Sequence, residues 1–96
     1  MTLMKNPSHP GELLAELYLE PLGMSAIMLA KHLHVPRTRI ERLVKEETAL
    51  TVDTAIRLAK FFSTTPEYWM NLQRAWDIAR ARDTIDVSDI TPLQAA

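Results

Sequence analysis

The sequence predicts an all-α fold, a bundle of five helices that ends in a long C-terminal helix. Apolar residues recur at three- and four-residue spacing in five separate stretches, which is the helical period. Helix start signals precede most of these stretches, either a Ser or Thr cap or a proline in the first turn. Only 2 of the 96 residues are glycine and 47% are hydrophobic, which is typical of a globular chain with a core.

The length and composition restrict the class of protein. A chain of 96 residues without an internal repeat or linker is expected to form one domain, residues 1–96. It has no cysteine, so neither a disulfide framework nor a thiolate metal site is expected. No stretch approaches about 18 consecutive apolar residues, and the N-terminus lacks a signal-peptide pattern. These observations predict a cytoplasmic protein.

The first helix is predicted over residues 11–20, after a lead-in of residues 1–8. It begins in the segment His9-Pro10-Gly11-Glu12 and ends before Pro21, because proline pushes the preceding residue out of the helical region. The spacing predicts a buried leucine stripe opposite an acidic stripe. The leucines are Leu13, Leu14 and Leu17, and the acids are Glu12, Glu16 and Glu20. The acidic stripe is either a solvated face or a surface for a basic partner.

The second helix, over residues 26–33, follows Ser25, whose hydroxyl can accept from an unpaired backbone N–H at the helix start. A tight turn, His34-Val35-Pro36, joins it to the third helix. Such turns commonly place glycine where the backbone takes a positive φ, and here His34 holds that position. Histidine is among the few other residues enriched there, so we predict a left-handed backbone at His34, with Val35 directed into the core.

The third helix is predicted over residues 36–46, with Pro36 fixing φ at its first residue. Successive side chains of a helix are about 100° apart around the axis. Three apolar side chains therefore fall on one side, Ile40, Leu43 and Val44. Three polar side chains point away from them, Thr38, Arg42 and Lys45. Arg39 and Glu41 lie on the flanks, and Arg37 lies at the amino end.

Two further helices complete the predicted bundle. The fourth covers residues 52–62, with Thr51 as its N-cap and Leu50 as an apolar contact just before it. The fifth covers residues 66–83 and starts at Thr65-Pro66-Glu67, where a cap, a proline and an acid follow one another. This helix is the longest, and apolar residues occupy two of its sides.

Two apolar sides on a terminal helix exceed the need of one small core. We therefore predict that this helix provides a homodimer surface. The residues assigned to it are Trp69, Leu72, Gln73 and Trp76. Burial of both tryptophans in the core is the alternative. The tail, residues 84–96, alternates briefly over 85–88 and is predicted to hold a short strand there.

The third helix carries the chemistry that predicts a function. Five basic residues and one acidic residue lie between positions 31 and 45, although the chain has a net charge of -1. A helix fits the major groove of DNA, where Arg binds guanine and Thr reaches a base edge or a thymine methyl. Basic side chains and helix starts suit phosphates. The predicted DNA-binding residues are Ser25, Arg37, Thr38, Arg39, Arg42 and Lys45.

Other interpretations of these residues stay open at this point. A basic run can be a solvated helix face, in which case the chain would be a protein-interaction module. Glu41 can accept from a cytosine amino group or pair with Arg37 or Lys45. An enzyme is not expected, because the chain has no HExxH motif, no glycine-rich phosphate loop and no cysteine. Neither a cofactor nor a metal is expected, since His32 and His34 do not share a helix face.

Several segments resemble the HigA-type antitoxins, which belong to the phage-repressor-like (XRE) helix-turn-helix class. The resemblance spans residues 9–83. Its segments are HPGE at 9–12, MSA at 24–26, LAK at 29–31, VPRTRI at 35–40, LTVDTAIRLA at 50–59 and PEYWMNLQ at 66–73. The first and last of these make it more specific than a helix-turn-helix alone.

The resemblance implies a repressor-like bundle and a function. Family members dimerise through the C-terminal region, repress their own operon at a palindromic operator, and bind a small RelE/HigB-like toxin that cleaves mRNA. The resemblance also implies DNA contacts for Ser25, Arg39 and Arg42. Two departures are His34 in place of glycine, and glutamate in the loop Lys45-Glu46-Glu47-Thr48 where many relatives have Asn-Gly. A stand-alone transcriptional regulator without a toxin is the alternative.

Overall fold

The computed structural model describes residues 6–94, and every regular element within that range is helical. The five helices are α1 (Pro10–Leu22), α2 (Ala26–Leu33), α3 (Arg37–Val44), α4 (Val52–Phe62) and α5 (Pro66–Thr84). The predicted all-α class with five helices is confirmed. Residues 1–5 of the predicted lead-in and residues 95–96 of the predicted tail lie outside the described range.

Helix α1 departs most from its predicted form. Its central stretch, Leu14–Leu19, is a π-helix. Because a π-helix bonds to the carbonyl five residues back, its turns hold more residues and the core-facing positions are spaced further apart. Leu14 and Leu19 are consequently buried. Leu17 is 58% exposed, so its predicted place in the buried stripe is wrong.

Pro21 does not end α1, contrary to the prediction. In a regular α-helix a proline cannot donate to the carbonyl four residues back, and its ring crowds that carbonyl. The wider turn just before Pro21 accommodates the ring, since the Glu20 N–H donates to the carbonyl of Ala15. The helix continues to Leu22 and ends at Gly23, whose φ of 61° is the left-handed conformation common at helix C-termini.

The start of α1 is fixed against α3 and α5. His9 is the N-cap, with its Nδ1 accepting from the Gly11 N–H at 2.9 Å. The His9 ring packs edge-on against Trp76, with 5.1 Å between ring centroids. A Cβ on Gly11 would lie 1.8 Å from the backbone oxygen of Leu43. The close approach of α1 to the end of α3 therefore requires glycine at this position.

The core is built around the Trp69 side chain, which has no exposed surface. Its indole N–H donates to the Thr64 hydroxyl at 2.8 Å. The rings of Tyr18 and Phe62 lie 5.1 Å and 6.3 Å from it, measured between centroids. The aliphatic side chains without exposed surface are Leu14, Leu29, Ile40, Ala55 and Leu58. Residues from all five helices therefore share one apolar centre.

Three helices start at the caps predicted from the sequence. The hydroxyls of Ser25, Thr51 and Thr65 accept from backbone N–H groups three residues ahead, at 3.1, 3.3 and 3.1 Å. Each such cap typically contributes about 1 kcal/mol to helix stability. Helices α2 and α4 occupy the predicted ranges 26–33 and 52–62.

The predicted strand over residues 85–88 is wrong, because the described tail contains no strand. The chain turns here instead. The Asp86 carboxylate accepts from the Ser88 N–H at 2.9 Å, and the Ile90 N–H donates to the carbonyl of Val87 at 2.9 Å. The bond from Ser88 holds the pKa of the Asp86 carboxyl below its ordinary value.

Between residues 6 and 94, no single helix is long and apolar enough to cross a membrane. Helices α1 and α2 together reach that length and composition, but they are bent by 96° relative to each other.

Gln73 joins α5 to the loop that follows α3. It is 4% exposed, and its Oε1 accepts from the buried Leu50 N–H at 2.7 Å. Its Nε2 donates to the Asp77 carboxylate at 2.9 Å. Because Leu50 immediately precedes the Thr51 cap, this side chain fixes the position at which α4 begins.

Replacing Gln73 with leucine is expected to destabilise the protein by about 1–3 kcal/mol, because the Leu50 N–H would be buried without an acceptor. Urea unfolding of the purified variant measures this change. Asn71→Leu is the matched control, since Asn71 is exposed on the same helix. Its effect should stay within about 0.5 kcal/mol. Equal urea unfolding midpoints for the two variants would show that the hydrogen bond from Leu50 to Gln73 contributes nothing to stability.

Candidate nucleic-acid interface

The turn between α2 and α3 has the left-handed residue that the sequence predicts. His34 has φ 59° and ψ 45°. The Val35 N–H donates to the carbonyl of Ala30 at 3.1 Å and the His34 N–H to that of Lys31 at 3.2 Å, which closes the end of α2 as a Schellman motif. Val35 is half-buried against the core. The direction in which α3 leaves the turn is fixed by these contacts.

Helix α3 is shorter than predicted at both ends. Pro36, with φ −60° and ψ 142°, is its N-cap rather than its first helical residue, and Lys45 follows as its C-cap. The chain then leaves through Glu46, whose φ is 63°. Ile40 and Leu43 anchor the inner face of the helix, at 0% and 2% exposure. The outer face is left to solvent.

All six predicted DNA-binding residues lie at the surface. Thr38, Arg39 and Arg42 line a hollow of about 380 Å³ between α3 and the start of α4. Arg37 and Lys45 lie at the two ends of α3, away from that hollow. The structure therefore brings three of the predicted residues together and leaves the others around them.

Ser25 occupies the start of α2 with its hydroxyl already engaged. Its Oγ accepts from the Met28 N–H at 3.1 Å. The hydroxyl hydrogen remains a donor, and the neighbouring backbone N–H groups of the first helical turn point the same way. Such a helix start can bind a phosphate oxygen.

Glu41 pairs with Arg37 rather than standing alone on the outer face. The Arg37 Nε lies 4.0 Å from the Glu41 carboxylate, four residues along α3. This is the ion pair that the sequence offered as an alternative to base contact. An exposed pair of this kind contributes little to stability, so Arg37 can exchange it for a phosphate at small cost.

Arg39 is held by an acid that comes from α4. Its Nη1 lies 2.5 Å from Oδ2 of Asp53, and the Arg57 Nε donates to the same oxygen at 2.9 Å. Arg57 also donates through Nη1 to the carbonyl of Leu33 at 2.8 Å. Donation by Arg57 and then by Arg39 holds the pKa of the Asp53 carboxyl below its ordinary value. This network, Arg39, Asp53, Arg57 and the Leu33 carbonyl, joins α2, α3 and α4.

Asp53 and Arg57 were not among the residues predicted from the sequence. Their spacing of four residues on a helix is a recognisable ion-pair signal. The contact with Arg39 carries no such signal, because it joins residues from different helices.

The acidic stripe of α1 lies on the molecular surface. Glu16 and Glu20 are exposed and Glu12 is half-buried. The pKa of the Glu16 carboxyl is raised, first by the charge of Glu12 and also by Glu20 and Glu46. Repulsion of this kind arises because several carboxylates lie close together, so the stripe is a concentrated negative surface.

Two of the four residues assigned to a dimer surface are buried inside this chain. Trp69 has no exposed surface and Gln73 is 4% exposed, so neither can contact a second copy. Leu72 and Trp76 are half-buried. The Trp76 ring is covered on one side by His9 and on another by the Arg80 guanidinium, 4.9 Å from its centroid.

Comparison with known proteins assigns the chain to a family. Residues 16–69 match the family model described as Helix-turn-helix. Virulence-associated protein I of Dichelobacter nodosus is 45% identical over 86 residues, which cover 88% of this chain and 80% of that protein.

Two of the solved structures that share the fold show how close the similarity is. An addiction module antidote protein of a HigA family from Coxiella burnetii is 44% identical, covers 93% of this chain and 99% of its own, and superposes with a TM-score of 0.83. Pseudomonas aeruginosa antitoxin HigA with the higBA promoter is 33% identical, covers 93% and 100%, and gives a TM-score of 0.84. The chain belongs to the helix-turn-helix family of DNA-binding regulators and, within it, to the HigA-type antitoxins.

Proposed function

We propose that this chain is the antitoxin of a type II toxin–antitoxin pair and that it represses its own operon as a homodimer. The observation that carries the proposal is the exposed basic face of α3, held by a buried inner face and a left-handed turn. Helices presented in this way enter the major groove in other regulators. A Pseudomonas aeruginosa relative was solved together with the higBA promoter, which supports DNA binding by this chain as well.

The exposed residues divide by the part of DNA that each can reach. Thr38 and Arg42 project from the middle of the outer face and are proposed to contact base edges, with Arg39 beside them. Arg37, Lys45 and Ser25 lie at helix ends and are proposed to contact phosphates. This division makes specificity depend on few side chains and affinity on more.

A homodimer is proposed because one α3 covers only half of a palindrome. Two recognition helices related by a two-fold axis would enter major grooves about 34 Å apart. The partly exposed apolar side chains of α5, Leu72, Trp76 and Ile78, support a contact between two copies of this helix. We also propose that residues 1–96 form one domain in each copy, because all five helices share the core around Trp69.

The toxin partner is proposed to be a small basic protein of the RelE/HigB-like class. The acidic stripe of α1 supports this chemistry, since a cationic partner would relieve the repulsion that raises the pKa of the Glu16 carboxyl. The stripe and the outer face of α3 lie on different helices. The chain can therefore be tested for DNA binding and for toxin binding separately.

Co-expression with the product of the small open reading frame beside its gene tests the proposal. The two proteins should purify together, and the chain should restore growth of cells that express the partner. Replacing Glu16 and Glu20 with lysine should abolish co-purification while operator binding is retained, which also verifies that the variant folds. Failure of the unmodified chain to co-purify or to restore growth would leave a stand-alone regulator, the other function considered from the sequence.

A further inference from the structure

Among the ion pairs within residues 6–94, the one between Arg39 and Asp53 joins the outer face of α3 to an acid from another helix. Asp53 lies in the first turn of α4 and lines the same hollow as Thr38, Arg39 and Arg42. Its carboxylate is 54% exposed and the Arg39 side chain is 42% exposed. Pairing at such an exposure contributes little to folding, so stability does not explain the arrangement.

The contact limits what Arg39 can reach. Asp53 accepts through Oδ2 from Nη1 of Arg39, and this contact leaves Nε and Nη2 of the guanidinium available. The bidentate edge that recognises guanine can therefore still be presented. A flexible, unpaired arginine would instead be drawn to any phosphate within reach, without regard to sequence.

Asp53 is itself held in place. The Arg57 Nε donates to Oδ2 of Asp53, and Arg57 is anchored by its bond to the Leu33 carbonyl at the end of α2. The carboxylate is thus positioned from both helices that flank α3. It can orient Arg39 without moving with it.

We propose that Asp53 is a specificity-determining positioning residue, which withholds Arg39 from phosphates and directs it to a base edge in the operator. The inference rests on the proposed function, because it assumes that the outer face of α3 reads DNA. A carboxylate facing the DNA lowers affinity for every sequence, and it lowers affinity less where Arg39 finds its base. The consequence is a larger ratio between operator and non-operator binding.

Asp53→Asn tests the inference, with binding measured to two duplexes over a range of salt concentrations. One duplex is the DNA upstream of the chain's own gene, and the other is a scrambled sequence of equal length and composition. Asparagine keeps the size but loses the charge. We expect scrambled binding to strengthen and the operator-to-scrambled ratio to fall about tenfold, the size of one lost base contact. The salt slope for scrambled DNA should steepen by about one unit as Arg39 joins a phosphate.

Glu47→Gln is the matched control, since it removes one negative charge from the exposed loop after α3. This variant should bind both duplexes more tightly by the same factor and leave the operator-to-scrambled ratio unchanged. Asp53→Glu keeps the charge and the hydrogen bond, so its ratio should return toward that of the unmodified chain. In an Arg39→Ala background, Asp53→Asn should no longer change the ratio, because the coupled partner is absent.

The outcomes separate this inference from the function beneath it. An unmodified chain that shows no preference for its own upstream DNA would overturn the proposed function and the inference with it. A clear preference that Asp53→Asn leaves unchanged, or reduces no more than Glu47→Gln does, would overturn the inference alone. Thermal unfolding of each variant confirms that the compared proteins are folded.

Discussion

Gly11→Ala is expected to destabilise the protein by about 3 kcal/mol, the upper end for forcing atoms into a packed site. The added Cβ would lie 1.8 Å from the oxygen and 2.7 Å from the carbonyl carbon of Leu43. Both atoms belong to the backbone of α3, so neither can rotate away as a flexible side chain would. The start of α1 must separate from α3, and the His9 cap and its contact with Trp76 would be strained with it.

Urea unfolding gives the size of this effect, and Gly23→Ala is the matched control. Gly23 has φ 61°, and a Cβ there would meet nothing within 4 Å. That substitution should cost only about 1 kcal/mol, the penalty for a side chain in the left-handed conformation. The Gly11 variant should also lose operator affinity, because α3 is displaced. If the two variants proved equally stable, the close packing of α1 on α3 would be refuted.

Arg42→Ala is expected to weaken operator binding by about 1–3 kcal/mol and to relax base preference at the position it reads. Arg42 is exposed on the outer face of α3 and lines the hollow beside Thr38. No ion pair engages it within residues 6–94, unlike Arg37 and Arg39. Its guanidinium can therefore enter the groove without first breaking a contact.

Lys45→Ala is the comparison for Arg42. Lys45 lies just past the end of α3, where a phosphate contact is proposed. Its loss should weaken all DNA sequences similarly and flatten the salt slope by about one unit. Gel shifts at several salt concentrations, on operator and scrambled duplexes, distinguish the two patterns. Full operator affinity in the Arg42 variant would show that Arg42 does not contact the bases of the operator.

Local signals predicted much of the fold. Ser25 and Thr51 define the starts of α2 and α4 because a hydroxyl cap acts within a few residues of its own position. His34 adopts the predicted left-handed backbone for the same reason, since the turn must close the end of α2 whichever residue stands there. Such features need no knowledge of the rest of the chain.

Two side chains, Leu17 and Gln73, lie where spacing along their helices does not predict them. Leu17 fits an α-helical stripe, but the π-helical stretch of α1 changes which positions face the core. Gln73 was assigned to a dimer surface, yet it is buried, because its Oε1 accepts from the buried Leu50 N–H. Neither outcome follows from spacing along one helix.

In the candidate site, too, some features follow from the spacing along one helix and others only from the packing of two helices. Helical periodicity alone placed Thr38 and Arg42 on the outer face, and both are exposed. The contact between Arg39 and Asp53 joins residues from two helices, so only their packing brings the pair together. The sequence separates the arginines of α3 by their place on the helix, and the structure adds which acids Arg37 and Arg39 contact.

We propose that this chain recognises its own promoter through α3. The most direct measurement is the dissociation constant of the unmodified chain for its own upstream DNA and for a scrambled duplex, at the same near-physiological salt concentration. We predict that the upstream DNA is bound at least about 10³-fold more tightly. Equal affinity for the two duplexes would contradict the claim.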